Sequence, residues 1–255
     1  MADSDFTEDK ILGGALTLRQ PRRGHRVGHD AVLLAAATPA KAGETAIEIG
    51  AGVGGAALAL ASRVVGLRCS LIDVVEPLVA LAQHNIEVNR LAERVRAIVL
   101  DVAAPARAFA AAGLVPGSAQ RVLMNPPFND STRQKASPDA GRRLAHVAAR
   151  ETLDVWVRRA GWLLGASGTL TLIWRADGLA DVLAALGRGF GGINVLPVYP
   201  RPDAAAIRIL VTGIKGSHAP LALLPGLTLN DAEGGPTADA EAVLRHGAAL
   251  PLLRA

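Results

Sequence analysis

The tetrapeptide Asn125-Pro126-Pro127-Phe128 has the residue types needed to hold a planar amino group. Proline lacks a backbone N–H and pushes the residue before it to extended conformations, so the apolar segment Arg121–Met124 should be a strand ending in a stiff turn. The Asn125 side-chain oxygen and the Pro126 carbonyl can accept both N–H bonds of an amine whose lone pair is delocalised. Phe128 can supply a face on which a flipped-out base stacks. A loop with a core phenylalanine is the structural alternative.

A glycine-rich segment, Glu48-Ile49-Gly50-Ala51-Gly52-Val53-Gly54-Gly55, lies between a strand candidate and a helix candidate. Glycines let the backbone turn sharply against a ligand, and the helix start offers unpaired N–H groups. Gly50, Gly52 and Gly55 satisfy the G-x-G-x-x-G pattern of dinucleotide-binding proteins, whereas Glu48 followed by Gly54 suits the loop of methyltransferases. An acidic residue attracts cationic S-adenosylmethionine and repels a pyrophosphate. The loop therefore favours S-adenosylmethionine but leaves a nicotinamide cofactor open.

Carboxylates end two further strand candidates. Asp73 is placed to accept bonds from both ribose hydroxyls of an adenosine ligand. Asp101 is placed to accept a bond from the adenine amino group, and Val102 can add backbone contacts. The alternative role for Asp101 is to cap the helix that follows. The tetrapeptide separates the two cofactors, because it has a use in amine methylation and none evident in hydride transfer.

Alternating strands and helices must bring these residues together. The strand candidates are Thr45–Ile49, Cys69–Asp73, Val95–Leu100, Arg121–Met124, Thr169–Trp174, Ile193–Val198 and Ile207–Val211. The helix candidates are Ala31–Ala37, Gly55–Val64, Pro77–Asn89, Pro105–Ala112, Arg142–Leu164 and Gly178–Arg188. The last two strands should pair antiparallel, because the connection Tyr199–Asp203 is too short for a crossover helix. The pattern predicts an α/β, Rossmann-like fold: a seven-stranded, mostly parallel sheet with one antiparallel strand and helices on both faces.

The composition suits one sizeable α/β domain with additions at its ends: 255 residues, half of them hydrophobic, with a net charge of +4. A single cysteine, Cys69, excludes a disulfide framework and a cysteine-based zinc cluster. The histidines lack metal-ligand spacing, so no metal site is expected. The polar, acidic first ten residues read as a mobile tail rather than a signal peptide, and the apolar runs are too short to span a bilayer. A cytoplasmic protein is the expectation.

Two basic groups should flank the mouth of the site, where they could grip phosphates of a single-stranded RNA loop with its target base splayed out. They are Arg19, Arg22, Arg23 and Arg26 before the glycine-rich segment, and Arg133, Lys135, Arg142 and Arg143 after the tetrapeptide. The alternative is an ordinary solvated basic face.

The motifs EIGAGVG, SLID, LDV and NPPF occur in the order and spacing of amino-group N-methyltransferases with an N/D-P-P-Y/F motif. RRGHRVGHDAVLLAA and NPPFNDSTRQKASPDAGRRLAH resemble segments of the bacterial tRNA1(Val) adenine-37 N6-methyltransferases. The resemblance covers roughly residues 10–215. It implies a class I methyltransferase fold, S-adenosylmethionine as cofactor and tRNA as substrate.

Transferred to this sequence, the resemblance implies the following site. Glu48, Gly50, Gly52 and Gly54 would line the methionine end of the cofactor, Asp73 would bind the ribose, Asp101 and Val102 the adenine, Gly28 and Asp30 would lie beside the pocket, and Asn125 to Phe128 would hold the amine. Phe128 departs from the tyrosine of many adenine N6 enzymes and is common in guanine N2 enzymes of ribosomal RNA. Guanine N2 and a protein glutamine amide therefore remain alternative targets.

Three regions are expected along the chain. Residues 1–42 should form an N-terminal segment packing on the cofactor pocket. Residues 43–214 should form the Rossmann-like methyltransferase domain. Residues 215–255, which contain Pro, Gly and short Leu runs, should form a C-terminal extension.

Overall fold

The computed structural model describes residues 5–23, 26–127, 140–187, 189–250 and 252, with side chains of the helix over 140–163 described from residue 150. The strands are β1 Phe6–Ile11, β2 Leu16–Pro21, β3 Thr45–Ile49, β4 Arg68–Asp73, β5 Val95–Val99, β6 Ala119–Met124, β7 Leu164–Arg175, β8 Phe190–Tyr199, β9 Arg208–Lys215, β10 Ala222–Leu223 and β11 Leu227–Thr228. The helices are α1 His29–Ala37, α2 Gly55–Arg63, α3 Glu76–Val88, α4 Ala106–Ala111, α5 Ala140–Leu163, α6 Leu179–Leu186 and α7 Ala238–Leu244.

The main sheet has the order β10-β8-β9-β7-β6-β3-β4-β5, and β11 also pairs with β8. Its seven long strands are parallel except β9, which runs antiparallel to both β7 and β8. This confirms the predicted fold class, including the antiparallel pairing after the short connection. The two additional strands, β10 and β11, are two residues long and lie parallel to β8.

Alternate residues of the strands face two separate hydrophobic cores, as the pleat of a sheet requires. In β6, Leu123 packs in the core beneath α1, α2 and α3, whereas Val122 and Met124 pack in the core beneath α4, α5 and α6. All three side chains are buried. Such continuous burial is expected for a parallel strand covered by helices on both faces.

Residues 6–10 do not belong to a mobile tail as expected, because residues 6–11 are strand β1, paired antiparallel with β2. The acidic side chains of β1 find partners within this hairpin. The Asp9 carboxylate accepts hydrogen bonds from the Thr7 hydroxyl at 2.7 Å, the Gln20 amide at 2.8 Å and the Arg26 guanidinium at 2.7 Å. A polar segment can therefore be a strand here, since its carboxylates are paired with nearby arginines.

Asn85 in α3 and Asn89, the C-cap of this helix, attach the hairpin to the domain. Asn89 accepts from Thr17 N–H at 3.0 Å and donates to Thr17 C=O at 2.7 Å. Asn85 accepts from Arg19 N–H at 2.7 Å and donates to Arg19 C=O at 3.0 Å. It also donates to the Val53 carbonyl in the glycine-rich loop, at 3.0 Å. The side-chain amides thus replace a neighbouring strand along the free edge of β2.

The segment after β9 packs against both the sheet and α1. Leu224 N–H donates to Val195 C=O in β8 at 2.8 Å, and Leu250 N–H donates to Ala36 C=O in α1 at 2.8 Å. Among the described residues, no helix is both long and apolar enough to cross a membrane.

Candidate active site

Two adjoining cavities lie at the carboxyl ends of the parallel strands, where open α/β sheets bind their ligands. The larger is about 610 Å³ and the smaller about 470 Å³. We call the pair the cleft. Both are lined by Asp30, Gly50, Gly52, Leu78 and Asn125. The larger also contains Asp73, Asp101, Val102, Pro126 and Pro127, and the smaller Gly28 and Glu48. The structure therefore gathers at one place every described residue of the predicted site except Gly54, which starts α2 beside it.

The glycine-rich loop turns tightly under the cleft. Gly50 has φ of 68°, a left-handed conformation that favours glycine, and its N–H donates to Ile72 C=O at 2.8 Å. A Cβ at Gly50 would lie 2.2 Å from the Trp156 ring. Trp156 is buried and lines the larger cavity. A side chain at residue 50 would therefore displace the wall of the cleft.

Glu48 is buried at the end of β3, with its Oε2 accepting a hydrogen bond from Ala57 N–H at 2.8 Å. Burial is the main reason why the pKa of this carboxyl is raised to about 8. The hydrogen bond from Ala57 lowers the pKa, and the negative charge of Asp73 raises it further. A cationic ligand group in the smaller cavity would favour the ionised carboxylate. The site thus holds a latent negative charge that a cation can stabilise.

Asp73 ends β4 and ties the glycine-rich loop to the next turn. Its Oδ2 accepts from Gly52 N–H at 2.8 Å, and its Oδ1 accepts from Val75 N–H at 2.9 Å. Each carboxylate oxygen can accept a second bond. The remaining capacity suits a vicinal diol in the larger cavity.

Asp101 does not cap α4, because that helix begins at Ala106 after an N-cap at Pro105. Its Oδ1 instead accepts from Ala103 N–H at 2.8 Å, which closes the turn after β5. The alternative role weighed for Asp101 is therefore wrong, and the carboxylate lines the larger cavity.

Arg159 of α5 holds this turn from behind. Its guanidinium donates to the carbonyls of Val102, at 3.0 Å, and Ala104. It also stacks on the Phe109 ring, 4.1 Å from the centroid. Sequence reasoning missed Arg159, because an arginine on an amphipathic helix carries no signal that it faces a loop more than fifty positions away.

The tetrapeptide follows β6 at the floor of the cleft. Asn125 Oδ1 is buried and has no hydrogen-bond partner among the residues that the structure describes, while Pro126 is buried and Pro127 exposed. An unsatisfied buried acceptor costs about 1–3 kcal/mol, and the groups in a native fold that remain so call for a ligand or functional explanation. Phe128 lies outside the described residues.

Asp30 forms an ion pair across the cleft with Arg208, 3.0 Å from its Nε. Both side chains are about a quarter exposed and line the larger cavity. Sequence reasoning did not select Arg208, which starts β9 far along the chain. Gly28 is the N-cap of α1, and a Cβ added to it would meet no neighbouring atom within 4 Å. The rim of the cleft is therefore open at this residue.

The basic residues before the cleft are less free than expected. Arg19 pairs with Glu8 at 2.8 Å and Arg26 with Asp9 at 2.7 Å. Arg22 donates to the Phe6 carbonyl at 3.3 Å, and Arg23 is exposed. Arg133 and Lys135, and the side chains of Arg142 and Arg143, lie outside the described residues. RNA contacts by either group stay a prediction.

The family model of the methyltransferase small domain matches residues 25–196. The chain is 30% identical over 163 residues to a release factor glutamine methyltransferase of Chlorobaculum tepidum, covering 62% of this chain and 54% of that protein. It is 28% identical over 155 residues to a tRNA1(Val) (adenine(37)-N6)-methyltransferase of Tolumonas auensis, covering 60% of this chain and 61% of that protein. The match thus spans little more than half the length of these curated relatives.

Solved structures share the fold. One described as a predicted O-methyltransferase, Atu636 from Agrobacterium tumefaciens, has a TM-score of 0.73 at 28% identity, covering 87% of this chain and 98% of that one. TrmN from Thermus thermophilus has a TM-score of 0.51 at 20% identity, covering 72% of this chain and 47% of that one. The matched residues contain the glycine-rich loop, both strand-end carboxylates and the tetrapeptide. The chain therefore belongs to the methyltransferase small domain family, whose fold confirms the predicted enzyme class and implies S-adenosylmethionine as its cofactor.

Proposed function

We propose that this protein methylates an exocyclic amino group of RNA, with adenine N6 in a tRNA anticodon loop as the first candidate. The observation that carries the proposal is Asn125 Oδ1, a buried acceptor at the floor of the cleft that has no partner in the described part of the chain. An acceptor of this kind fits an amine N–H. A hydroxyl nucleophile has a single O–H to donate and would therefore leave one of the two acceptors, the Asn125 side chain and the Pro126 carbonyl, without a partner.

The chemistry of the cleft residues fits the cofactor. Asp73 would bind the ribose, Asp101 and Val102 the adenine, and Glu48, Gly50, Gly52 and Gly54 would surround the methionine end, beside Gly28 and Asp30. Cavities of about 610 and 470 Å³ lie within the roughly 300–1,000 Å³ range of ligand pockets. When bound, S-adenosylmethionine supplies an electrophilic methyl group on a sulfonium.

The tetrapeptide orients the substrate amine. Asn125 and the Pro126 carbonyl accept its two N–H groups, so the nitrogen lone pair is directed towards the cofactor side of the cleft. The same acceptors stabilise the positive charge that develops on nitrogen, and the amine becomes acidic enough to release its proton to water. Pro127 keeps the turn stiff, and Phe128 is assigned the stacking role.

The choice of RNA is supported by the relative from Tolumonas auensis, whose name states a tRNA adenine as its target. RNA as substrate suggests a cytoplasmic location. A protein glutamine amide is the second candidate, because the relative from Chlorobaculum tepidum acts on glutamine and an amide also presents two N–H groups to the tetrapeptide. Guanine N2 in ribosomal RNA fits the same acceptors. We also propose the division into 1–42, 43–214 and 215–255, with the first region covering the pocket.

The test is incubation of the protein with methyl-labelled cofactor and separate tRNA, ribosomal RNA and protein fractions, followed by nucleoside or amino-acid analysis. Label in N6-methyladenosine of tRNA supports the first candidate. Label in N2-methylguanosine or methylglutamine would replace it with an alternative target. Label on oxygen would refute the assignment of the tetrapeptide.

A further inference from the structure

A second large cavity, about 1,150 Å³, lies outside the cleft between the two ends of the chain. We call it the terminal groove. One wall is the turn between β1 and β2, the other is α7 with the residues around it, and the start of α1 forms its floor. At this volume it exceeds the roughly 300–1,000 Å³ of small-molecule pockets, so it suits a segment of a polymer better than a metabolite.

The groove is a built feature, because the two terminal segments contact each other. A Cβ at Gly13, in the β1–β2 turn, would lie 2.9 Å from the Arg245 carbonyl. A Cβ at Gly247 would lie 3.7 Å from the Leu12 side chain. The helix α7 is anchored in turn, because Val243 belongs to the core shared with α1. The walls are therefore held at a set separation.

The charged residues of the groove carry a net positive charge. Lys10 and Arg245 line it and are exposed, and Lys10 forms no ion pair among the described residues. Glu241 is the acidic residue of the lining, and it faces Arg245 at 3.4 Å. This balance favours a polyanion.

The groove also leads to the cleft. Val27, Gly28 and His29 line both the terminal groove and the smaller cavity, and Asn125 also lines that cavity. A chain lying in the groove would therefore pass the open rim at Gly28 on its way to the amine-binding turn. Both walls lie outside residues 25–196, the part that matches the family model. The groove is thus supplied by what this chain adds to the common methyltransferase domain.

We infer that the terminal groove binds the sugar-phosphate backbone of the RNA strand next to the methylated nucleotide, with Lys10 and Arg245 contacting phosphates. This inference rests on the proposed function, which it extends from the target base to the flanking strand. It adds Lys10 and Arg245 to the RNA footprint predicted around Arg19 and Arg26.

The test measures binding and turnover separately in the full-length protein. Fluorescence anisotropy with fluorescein-labelled single-stranded RNA and with total tRNA gives affinity over a range of salt concentrations. The double variant Lys10→Ala/Arg245→Ala should bind on the order of tenfold more weakly, with its salt slope lower by about 1.4 for two lost phosphate contacts. Glu241→Gln should bind RNA more tightly, which a purely structural role would not cause. Arg68→Ala is the matched control, because Arg68 is an exposed arginine at the amino end of β4 that lines neither the groove nor the cleft.

The double variant should keep the melting temperature and cofactor affinity of the wild type. Equal RNA affinity and salt slope in the double variant and the Arg68→Ala control would overturn the groove assignment. The assignment would also be overturned if the double variant bound RNA like the wild type but no longer methylated a protein fraction, because the groove would then hold a peptide. RNA binding that depends on the groove without methylation of any RNA fraction would leave the groove assignment standing and refute the proposed function alone.

Discussion

Replacing Glu48 with glutamine tests whether the buried carboxyl is protonated in the free protein. Glutamine keeps the shape and can still accept the 2.8 Å bond from Ala57 N–H, so the variant changes mainly the ability to ionise. The pKa of Glu48 is raised from 4.5 to about 8 in the fold. The folded state therefore binds the proton more tightly than the unfolded chain, and its contribution to stability is complete below about pH 4.5 and is lost as the pH rises to about 8.

The size of the effect follows from the width of that window. One pKa unit corresponds to about 1.4 kcal/mol, so from about pH 5 to about pH 7.5 the wild type should lose roughly 3 kcal/mol of stability that the glutamine variant keeps. Urea unfolding of both proteins without cofactor, at several pH values, measures the difference. Subtracting the unfolding free energy of the variant from that of the wild type at each pH removes the contributions of other titrating groups. A difference that stays constant with pH would mean that Glu48 is ionised in the free protein, and the latent-charge argument would fail.

The same carboxyl should link cofactor binding to proton release. At pH 7 a group with a pKa near 8 is about 90% protonated, and a nearby sulfonium or ammonium favours its ionised form. Calorimetry of S-adenosylmethionine binding in buffers of different ionisation enthalpy should show release approaching one proton in the wild type and none from this site in Glu48→Gln. Equal release in both proteins would assign the proton to another group.

Three further variants separate chemistry from binding. Asn125→Ala should lower the turnover rate by about a hundredfold or more while cofactor affinity changes by no more than a few-fold, and wild-type turnover would refute its role. Asp73→Ala should weaken cofactor binding by about ten- to a hundredfold through lost charge-assisted hydrogen bonds; unchanged affinity by calorimetry would remove it from the ribose site. Arg159→Met should weaken cofactor binding about tenfold with little effect on turnover at saturation, because Arg159 supports the turn after β5. The control Arg158→Met changes an exposed neighbour and should leave cofactor affinity unchanged. Equal affinities in the two variants would contradict the positioning role of Arg159.

Local patterns predicted the sheet well, because alternating strands and helices have few topological solutions. The antiparallel strand β9 followed from one short connection, and the turn at Asn125 from two prolines. The β1 strand was missed, since its acidic side chains look solvated until Gln20 and Arg26 are placed against Asp9. The sequence also predicted that the glycine-rich loop and the strand-end carboxylates lie together at the carboxyl edge of the sheet. It could not reveal Arg159 or Arg208, because their contacts cross 55 and 178 positions of chain.

The hydrogen bonds from Asn85 and Asn89 to the β1–β2 hairpin limit how far the chain can be shortened at its start. A chain cut to the matched residues 25–196 would keep the loop, the carboxylates and the tetrapeptide, and would look like a minimal catalytic unit. It would leave Asn85, which is fully buried, without its bonds to Arg19, and would expose the apolar surface that covers Leu16 and Leu18. Burial of one leucine side chain stabilises a fold by about 1.5–3 kcal/mol, so loss of the contacts of Leu16 and Leu18 would remove a sizeable part of the roughly 5–15 kcal/mol that holds a domain folded. The segment that matches the family model and the segment that must fold together therefore have different boundaries in this protein.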